Sequence, residues 1–467
     1  MMLFKIAYRN IFRNTRRSLT TMMTIAIGTA AALLFGAFTL FTTYGLQTST
    51  VQRSGHLAIY RDGFFNYGAG NPAAWGISDY KGVLNLVKAD PVLKPMIAVA
   101  TPTQSVGGIA GNPESGASKT FFGVGFVPSD RDAMKHWNEY GVGSTGLKRS
   151  GLSDDDTSKG LLGMGLVRIL GLCERTHQAD CPPAREAPVD PVKTTELSKI
   201  PGRDFSGLGE TTSAASGDED PRIDLLGATV NGAPNVVSLG IHRVEYQGVK
   251  ELDENYVGMN IGLAQQLVYG RAPPAATAVV LQLNRTEDLD LARDRLRSLF
   301  KAHRLNLEVR DYTELNPFYP QAVGMFRSIF FFISSIIGVV VLFTITNAMS
   351  MSVIERTDEI GTTRAMGVRR AGIRRLFLLE GGMIGILGAT VGVILAYAIG
   401  VTVNHAGLTW TPPSSVEPVP LKLYLFGGAF CDVAIVWALL AGVATLASWA
   451  PAGRAARLSV VDALRHV

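Results

Sequence analysis

The sequence predicts a membrane α-helical protein with four transmembrane helices and a large α+β extracytoplasmic domain inserted between the first and second spans. Hydrophobic residues make up 47% of the 467 positions, an ordinary share for a soluble protein, so their distribution carries the prediction. Four runs are predominantly apolar and long enough to cross a bilayer, at residues 19–46, 325–351, 377–403 and 423–448. The intervening residues 47–322 are polar and mixed, and are numerous enough to form a core of their own.

Residues 1–18 predict an amphipathic helix lying on the inner membrane surface. Leu3, Ala7 and Ile11 recur at helical spacing, and basic residues occupy the other positions. The alternative is a cleaved secretory signal peptide. The apolar run that follows is longer than the roughly 7–15 residues of a signal-peptide core. The sequence therefore favours an uncleaved anchor.

Lysine and arginine are concentrated at alternate ends of the predicted spans. Residues 1–18, the connection 352–376 and the tail 449–467 are rich in them, whereas the connection 404–421 has none. The positive-inside rule then places both termini and residues 352–376 in the cytoplasm, and residues 47–322 outside it. This distribution accounts for the net charge of +5 and predicts no nucleic-acid partner.

Residues 47–322 alternate between strand-like and helical patterns, which predicts an α+β domain. The strand-like runs are His56–Tyr60, Asp224–Val230, Asn235–Val244, Ala276–Leu283 and Leu305–Val309, and helical spacing covers Leu289–Ala302. Residues 173–221 are rich in Pro, Asp, Ser, Thr and Gly and predict an irregular insertion. Within it, Cys173 and Cys181 are candidates for a local disulfide in an oxidising compartment.

No motif indicates catalysis or metal binding. Gly111–Gly116 has the glycine spacing of a phosphate loop but lacks the Lys-Ser/Thr that must follow, and Gly141–Gly146 opens no apolar helix. The seven histidines are scattered without metal-ligand spacing. We therefore expect that this chain is not an enzyme, that it has no catalytic residue, and that it binds no metal or cofactor.

The charged segment Glu355–Gly367 lies inside the 352–376 connection. Its first half is rich in Glu, Asp and Arg, and its second half carries the apolar pair Ala365-Met366, which Gly367 ends. Joining two spans requires only a few polar residues, so this pattern predicts more than a linker. We interpret it as a short helix at the membrane surface that docks into a groove on a partner.

The third span carries four glycines in two small-xxx-small pairs, which predict a face for close helix packing. The pairs are Gly381 with Gly385 and Gly388 with Gly392. The preceding Glu380 is an acid near the cytoplasmic end of the span. We interpret it as structural, with its side chain reaching towards Arg374 or Arg375.

The Glu355–Gly367 segment resembles the cytoplasmic loop of the FtsX/MacB/LolC–LolE type of ABC-transporter permease. The pattern E-R-T-x-E-I-G-x-x-R-A-x-G is matched by Glu355-Arg356-Thr357, Glu359-Ile360-Gly361, Arg364-Ala365 and Gly367, and Leu379-Glu380-Gly381 follows. The tail Pro451–Arg465 resembles the family's ending, and Gly55-His56-Leu57 resembles the lipoprotein-releasing LolC/LolE branch. Lys159–Leu172 resembles a family helix, but the insertion after it departs from the family's pattern.

The resemblance implies a permease subunit with a MacB-like periplasmic domain that works by mechanotransmission: ATP hydrolysis in a separate subunit moves the periplasmic domain. The residues implied to couple to that ATPase are Glu355, Arg356, Glu359, Ile360, Arg364, Ala365, Met366 and Gly367. Two ATPase subunits, which hold the ATP and magnesium, would join this chain and a second permease subunit in a homo- or heterodimer.

The same resemblance implies a multi-pass protein of the bacterial inner membrane that extracts lipoproteins or other amphiphiles from membrane lipid. A periplasmic lipoprotein carrier would then be a further partner. One alternative is drug or peptide efflux with a membrane-fusion adaptor. The other is a non-transporting signal transducer that activates a cell-wall hydrolase.

Overall fold

The computed structural model describes residues 2–13, 15–68, 70–142, 149–176, 221–247, 250–410, 419–424 and 430–458. The helices are α1 (Met2–Arg13), α2 (Thr15–Ser54), α3 (Tyr80–Ala89), α4 (Pro128–Lys135), α5 (Met164–Ile169), α6 (Lys250–Asp253), α7 (Ile261–Tyr269), α8 (Leu289–Ala302), α9 (Tyr312–Leu315), α10 (Phe318–Glu355), α11 (Thr357–Ala365), α12 (Arg370–Ala406), α13 (Phe430–Ala447) and α14 (Trp449–Arg457). The strands are β1 (Leu57–Arg61), β2 (Ile97–Gly111), β3 (Ser118–Phe126), β4 (Lys159–Gly163), β5 (Arg222–Ala228), β6 (Pro234–Glu245), β7 (Tyr256–Asn260), β8 (Ala278–Leu283), β9 (Leu307–Asp311), β10 (Thr409–Trp410) and β11 (Val419–Pro420).

Strands β1 to β9 form one sheet, in the order β3-β7-β4-β6-β5-β2-β8-β1-β9. The β3–β7 and β4–β6 pairs are parallel, and the other pairs are antiparallel. The second half of the long strand β2 pairs with both β3 and β5, so six strands close into a barrel. The barrel encloses one hydrophobic core, which includes Phe121, Leu225 and Val257.

The first half of β2 pairs with β8 and extends the sheet to β1 and β9. A second core forms here, where Ile59, Leu281 and Leu296 pack between this part of the sheet and helices α3 and α8. Strand β1 directly follows α2, and β9 comes shortly before α10. Because β1 and β9 are neighbours in the sheet, the end of α2 and the start of α10 are brought together at the base of the domain.

Four helical segments are long and apolar enough to cross a membrane among the described residues: α2, α10, α12 and the stretch Val433–Arg457. The first three contain 40, 38 and 37 residues, so they extend beyond the predicted 19–46, 325–351 and 377–403. The reason is that hydrophobicity marks only the part of a helix that fits the hydrocarbon layer. Each helix continues after its apolar run ends.

The prediction of a helix over Lys159–Leu172 is wrong for its first part. Residues Lys159–Gly163 form β4, and only Met164–Ile169 are α-helical. Strand β4 lies between β6 and β7 with residues 160–163 buried. A strand buried on both faces loses the polar alternation that would distinguish it from a helix.

Candidate coupling site

The coupling segment Glu355–Gly367 lies at the end of the helical bundle remote from the α+β domain. Helix α10 ends at Glu355, Arg356 leaves helical geometry, and α11 begins at Thr357. The Thr357 hydroxyl donates to the carbonyl oxygens of Val353 and Ile354, at 3.1 and 2.8 Å. This local hydrogen bonding stabilises the break, so α11 is a separate short helix.

Helix α11 ends in a Schellman motif that follows from Gly367. This glycine has φ +91°, in the left-handed region that disfavours other residues. The amide of Val368 donates to Thr363 O at 3.4 Å, and the amide of Gly367 donates to Arg364 O at 3.0 Å, as the motif requires. The turn leaves Met366 fixed by the backbone and 77% exposed.

Arg356 forms a buried ion pair with Glu380 of α12. Its Nη1 atom lies 3.2 and 3.1 Å from the two carboxylate oxygens, and both side chains are less than a tenth exposed. The Nη2 atom also donates to Asn10 O of α1 at 3.2 Å. One guanidinium therefore joins the α10–α11 junction to α12 and to α1. The predicted pairing of Glu380 with Arg374 or Arg375 is wrong, and Arg374 instead lies 4.0 Å above the ring of Trp449.

Two further ion pairs join this segment to the start of the chain. Arg17 of α2 contacts Glu355 through both of its terminal nitrogens, at 2.7 and 3.0 Å, and Arg13 of α1 pairs with Glu359. We did not predict these pairs from the sequence. A signal was present, because a basic segment without acids and an acidic segment were both assigned to the same side of the membrane.

The eight residues predicted to couple fall into two groups. Five are engaged within the chain: Glu355, Arg356 and Glu359 in ion pairs, Ile360 buried in the bundle core, and Arg364 bonded to Leu458 O. The other three, Ala365, Met366 and Gly367, are exposed together with Val368. We call Ala365–Val368 the exposed turn, because all four of its residues are exposed.

The four predicted packing glycines contact two different helices. On the α13 side, a Cβ atom on Gly381 would lie 1.8 Å from Ser448 Oγ, and a Cβ atom on Gly385 would lie 2.5 Å from Ala444 Cβ. On the α2 side, a Cβ atom on Gly388 would lie 2.8 Å from Ile25 Cβ, and a Cβ atom on Gly392 would lie 2.5 Å from Thr29 Cβ. Real Cβ contacts are not this short, so any larger residue would separate the helices. Helix α12 is thus held between α13 and α2, close to the buried Glu380.

His56 lies at the opposite end of α2, where the bundle meets the sheet. It is fully buried, its Nδ1 accepts from Leu283 N at 3.0 Å, and its Nε2 lies 3.2 Å from Thr286 Oγ1. Burial lowers the pKa of His56 to about 4. The imidazole is therefore neutral at physiological pH, and its bond to Leu283 joins β8 to the connection between α2 and β1.

The predicted pairing of Cys173 with Cys181 stays a prediction, because the structure describes only one of these two positions. Cys173 is disulfide-bonded, and Cys181 lies outside the described residues. Most of the predicted 173–221 insertion also lies outside them. Within the described part of the chain, no group of three or more His, Cys, Asp or Glu side chains could hold a metal ion.

Comparison with known proteins gives a family match over the region that contains most of this site. Residues 331–460 match the FtsX-like permease C-terminal family. The ABC transporter permease YtrF of Bacillus subtilis is 34% identical over 136 residues, which cover 29% of this chain and 31% of YtrF.

Two other relatives share less sequence identity over longer regions. The lipoprotein-releasing system transmembrane protein LolC of Neisseria meningitidis is 26% identical over 171 residues, 36% of this chain and 41% of LolC. The macrolide export ATP-binding/permease protein MacB of Shewanella sp. strain ANA-3 is 29% identical over 288 residues, 58% of this chain and 41% of MacB. The chain thus spans less than half the length of each of these three relatives. Residues 331–460 are an FtsX-like permease domain, in a chain whose homologues are ABC transporter permeases.

Proposed function

We propose that this chain is the permease subunit of a bacterial ABC transporter that works by mechanotransmission. In this proposal a separate ATPase binds the exposed turn, and ATP hydrolysis there moves the α+β domain. One observation carries the proposal. Helices α2 and α10 run without interruption from the coupling segment to the base of the α+β domain. Each is held at both ends by hydrogen bonds or ion pairs.

The length of these helices supports the transmission of movement. At about 1.5 Å per residue, the 40 residues of α2 extend about 60 Å. The hydrocarbon layer of a bilayer is only about 30 Å thick. Helix α2, and α10 with its 38 residues, therefore project from the membrane as continuous rods, and a displacement at one end reaches the other.

The domain ends of both helices are fixed by hydrogen bonds. Gln52 of α2 donates to Lys135 O at 3.0 Å and to Trp137 O at 2.7 Å, and it is almost fully buried. Asn316, just before α10, donates to Ser54 Oγ at 3.1 Å. These bonds join the two helices to each other and to the domain, which must then follow them when they tilt.

The opposite ends are fixed by the ion pairs of the candidate coupling site. Arg17 connects α2 to Glu355 of α10, and Arg356 connects the same junction to Glu380 of α12. A force on the exposed turn thus reaches three helices through charged groups at short range. The sequences of the four predicted spans hold few polar residues for a hydrophilic path, which favours a mechanical coupling over a hydrophilic pore.

The proposal includes the topology that the positive charges predict. Both termini and α11 lie in the cytoplasm, where an ATPase and its ATP and magnesium are available, and the α+β domain lies in the periplasm. The chain is then a multi-pass protein of the inner membrane. It pairs with a second permease subunit, and the dimer binds two ATPase subunits.

For the transported molecule, we propose a lipoprotein or another amphiphile taken from the membrane. The relationship to LolC and the Gly55-His56-Leu57 element support this assignment, with a periplasmic lipoprotein carrier as the receiving partner. The second candidate is drug or peptide efflux with a periplasmic adaptor, supported by the similarity to MacB over 58% of this chain.

The experiment is purification of the tagged full chain in mild detergent, followed by identification of the proteins that remain bound. We expect an ATPase with the wild type and its loss with Met366→Asp, because the variant places a charge in an apolar contact. The matched control is Leu252→Asp, which adds the same charge to an exposed residue of α6 and should retain the ATPase.

Each outcome decides a separate point. Retention of a fully active ATPase by the Met366→Asp variant would show that the exposed turn is not the docking site. Absence of any ATPase from the wild-type preparation would refute the transporter assignment. A lipoprotein carrier, an adaptor or a cell-wall hydrolase among the bound proteins would select among lipoprotein transport, efflux and signalling.

A further inference from the structure

A cavity of about 380 Å³ lies between α2, α10 and α13. Its lining on α2 spans Ala32 to Thr43, from the middle of that helix towards the α+β domain. Most lining residues are apolar or small, and of the lining residues that the structure describes only Arg327 of α10 is charged. The volume falls in the range of about 300–1,000 Å³ that is typical of small-molecule sites.

The walls of this cavity are formed by specific packing. Gly36 admits the ring of Phe330, whose Cε2 atom lies only 3.1 Å from the position of a Cβ on Gly36. At another side, the amide of Tyr424 donates to Ala37 O at 3.4 Å, which holds the residue against α2. The cavity is therefore a feature of the packed helices.

Arg327 is the residue that points to a ligand. Its side chain is exposed and, among the described residues, makes no ion pair or hydrogen bond. Arg327 lies near the start of the predicted span 325–351, and charged residues on membrane-crossing helices are normally paired or solvated. An anionic group bound from outside the chain would supply that partner.

We propose that this cavity binds an anionic phospholipid of the surrounding bilayer. One acyl chain occupies the apolar cavity, and the lipid phosphate accepts hydrogen bonds from the Arg327 guanidinium, whose planar fork suits a phosphate. The charge distinguishes this ligand from a lipid-modified protein, because a diacylglyceryl-modified cysteine carries acyl chains without a phosphate. The site goes beyond the proposed function and needs no ATPase.

The test is native mass spectrometry of the full chain in mild detergent with added dioleoyl phosphatidylglycerol or dioleoylglycerol, which lacks the phosphate. We expect the wild type to bind the phospholipid about tenfold better, as one charge-assisted contact can supply. Arg327→Gln should reduce phosphatidylglycerol binding to the level of dioleoylglycerol, and Arg327→Lys should retain part of the preference. Val433→Phe, which fills the cavity, should weaken binding of both lipids.

The matched control is Arg370→Gln, which removes an exposed arginine at the opposite end of the bundle and should leave binding unchanged. Equal phosphatidylglycerol binding by wild type and Arg327→Gln would overturn the proposal. So would a synthetic diacylated lipopeptide that competes fully and binds Arg327→Gln as well as wild type, because the cavity would then accept lipid-modified cargo.

Asp432 requires one more variant, because it precedes the cavity residue Val433 and its side chain is not described. If Arg327 served as its ion-pair partner, Asp432→Asn and Arg327→Gln would lower thermal stability equally, and neither would affect lipid binding. That result would also overturn the proposal. We expect Asp432→Asn to leave phosphatidylglycerol binding intact.

Discussion

The buried ion pair of Arg356 and Glu380 affects stability mainly through the cost of losing one partner. Burial removes each charge from water at a large desolvation cost, and the opposite charge and the hydrogen bond to Asn10 O help to offset that cost. A buried pair of this kind adds little net stability relative to a well-packed apolar pair. Removal of only one of the two residues is strongly destabilising, because the remaining charge stays buried without a partner.

Arg356→Ala should therefore lower the free energy of unfolding by about 3 kcal/mol or more, the cost of an unpaired buried charge. The double variant Arg356→Met with Glu380→Leu should recover most of that loss. The measurement is the apparent melting temperature of the full chain in detergent, together with ATPase co-purification. A double variant as unstable as the single one would show that the apolar packing, and not the charge, determines stability here.

His56 makes the stability of the chain depend on pH. Its Nδ1 accepts the amide of Leu283, so in the neutral ring Nε2 carries the hydrogen and donates to Thr286. Protonation would place a second hydrogen on Nδ1 and break the bond to Leu283. Burial opposes the same charge and lowers the pKa of His56 from 6.5 to about 4.

The direction in which stability changes with pH follows from the proton uptake of His56. Between pH 6.5 and about 4, the unfolded chain holds a proton on this histidine that the folded chain does not, so stability falls as pH falls through this window. At about 1.4 kcal/mol per pKa unit, the loss is on the order of 3 kcal/mol. Melting temperatures measured from pH 7.5 to 5 should decline in the wild type and decline less in His56→Gln. Parallel curves would mean that other groups cause the acid sensitivity.

Helix α12 shows what spacing in a sequence can and cannot predict. Its four glycines, at 381, 385, 388 and 392, have helical spacing, and the sequence predicts a single packing face. In the structure, Gly381 and Gly385 face α13, while Gly388 and Gly392 face α2. The difference arises because neighbouring helices cross α12 at different heights, and a crossing point depends on the partner helices as well as on the spacing.

We expect Gly385→Leu to disrupt the bundle, because its Cβ would lie 2.5 Å from Ala444 Cβ and close to the backbone of Ala441. Overpacking of this kind costs about 1–3 kcal/mol or more. The control is Gly442→Leu, since a Cβ there meets nothing within 4 Å. The readout is the melting temperature and the fraction of monodisperse chain in detergent. Equal values for the two variants would contradict close packing at Gly385.

The strands of the α+β domain were predicted unevenly, for physical reasons. Ala276–Leu283 is a mostly apolar run and Leu289–Ala302 carries helical spacing, and β8 and α8 lie close to these positions. Strand β2 was missed because glycines at 107, 108 and 111 remove the apolar alternation. Gly108 is required there, since a Cβ would lie 2.0 Å from Leu226 O on the neighbouring strand.

The sequence identifies the segment Glu355–Gly367 as a candidate for coupling, which stays a prediction, and it does not predict the bonds within that segment. The motif identifies the residues from Glu355 to Gly367, and a motif gives no information about contacts far apart in the chain. The pairs that fix the segment join residues 338 and 346 positions apart. As a result, residues such as Arg356 and Ile360, which the sequence suggested for a partner surface, lie inside the chain.

The arrangement of the whole molecule predicts the effect of a kink in α2 or α10, the two helices that connect the α+β domain to the opposite end of the bundle. Strands β1 and β9 join the domain ends of α2 and α10, and the charged pairs join their other ends. In the proposed mechanism, movement of the α+β domain requires that both helices stay straight between these two ends. A kink in the middle of one helix should isolate the domain while leaving the ATPase surface unchanged.

Ser335→Pro tests this in α10. Proline at this mid-helix position removes one backbone hydrogen bond and kinks the helix, and kinks are tolerated in membrane spans. We expect the variant to retain a bound, hydrolysing ATPase and to lose the ATP-dependent change in distance between spin labels at Leu252 of α6 and Leu446 of α13. Ser335→Ala, which removes only the hydroxyl that bonds to Phe331 O, should preserve that change. If the distance change is unaltered in Ser335→Pro, α10 does not transmit the movement. If the ATPase is lost from Ser335→Pro but retained by Ser335→Ala, the two ends of the helix are not independent.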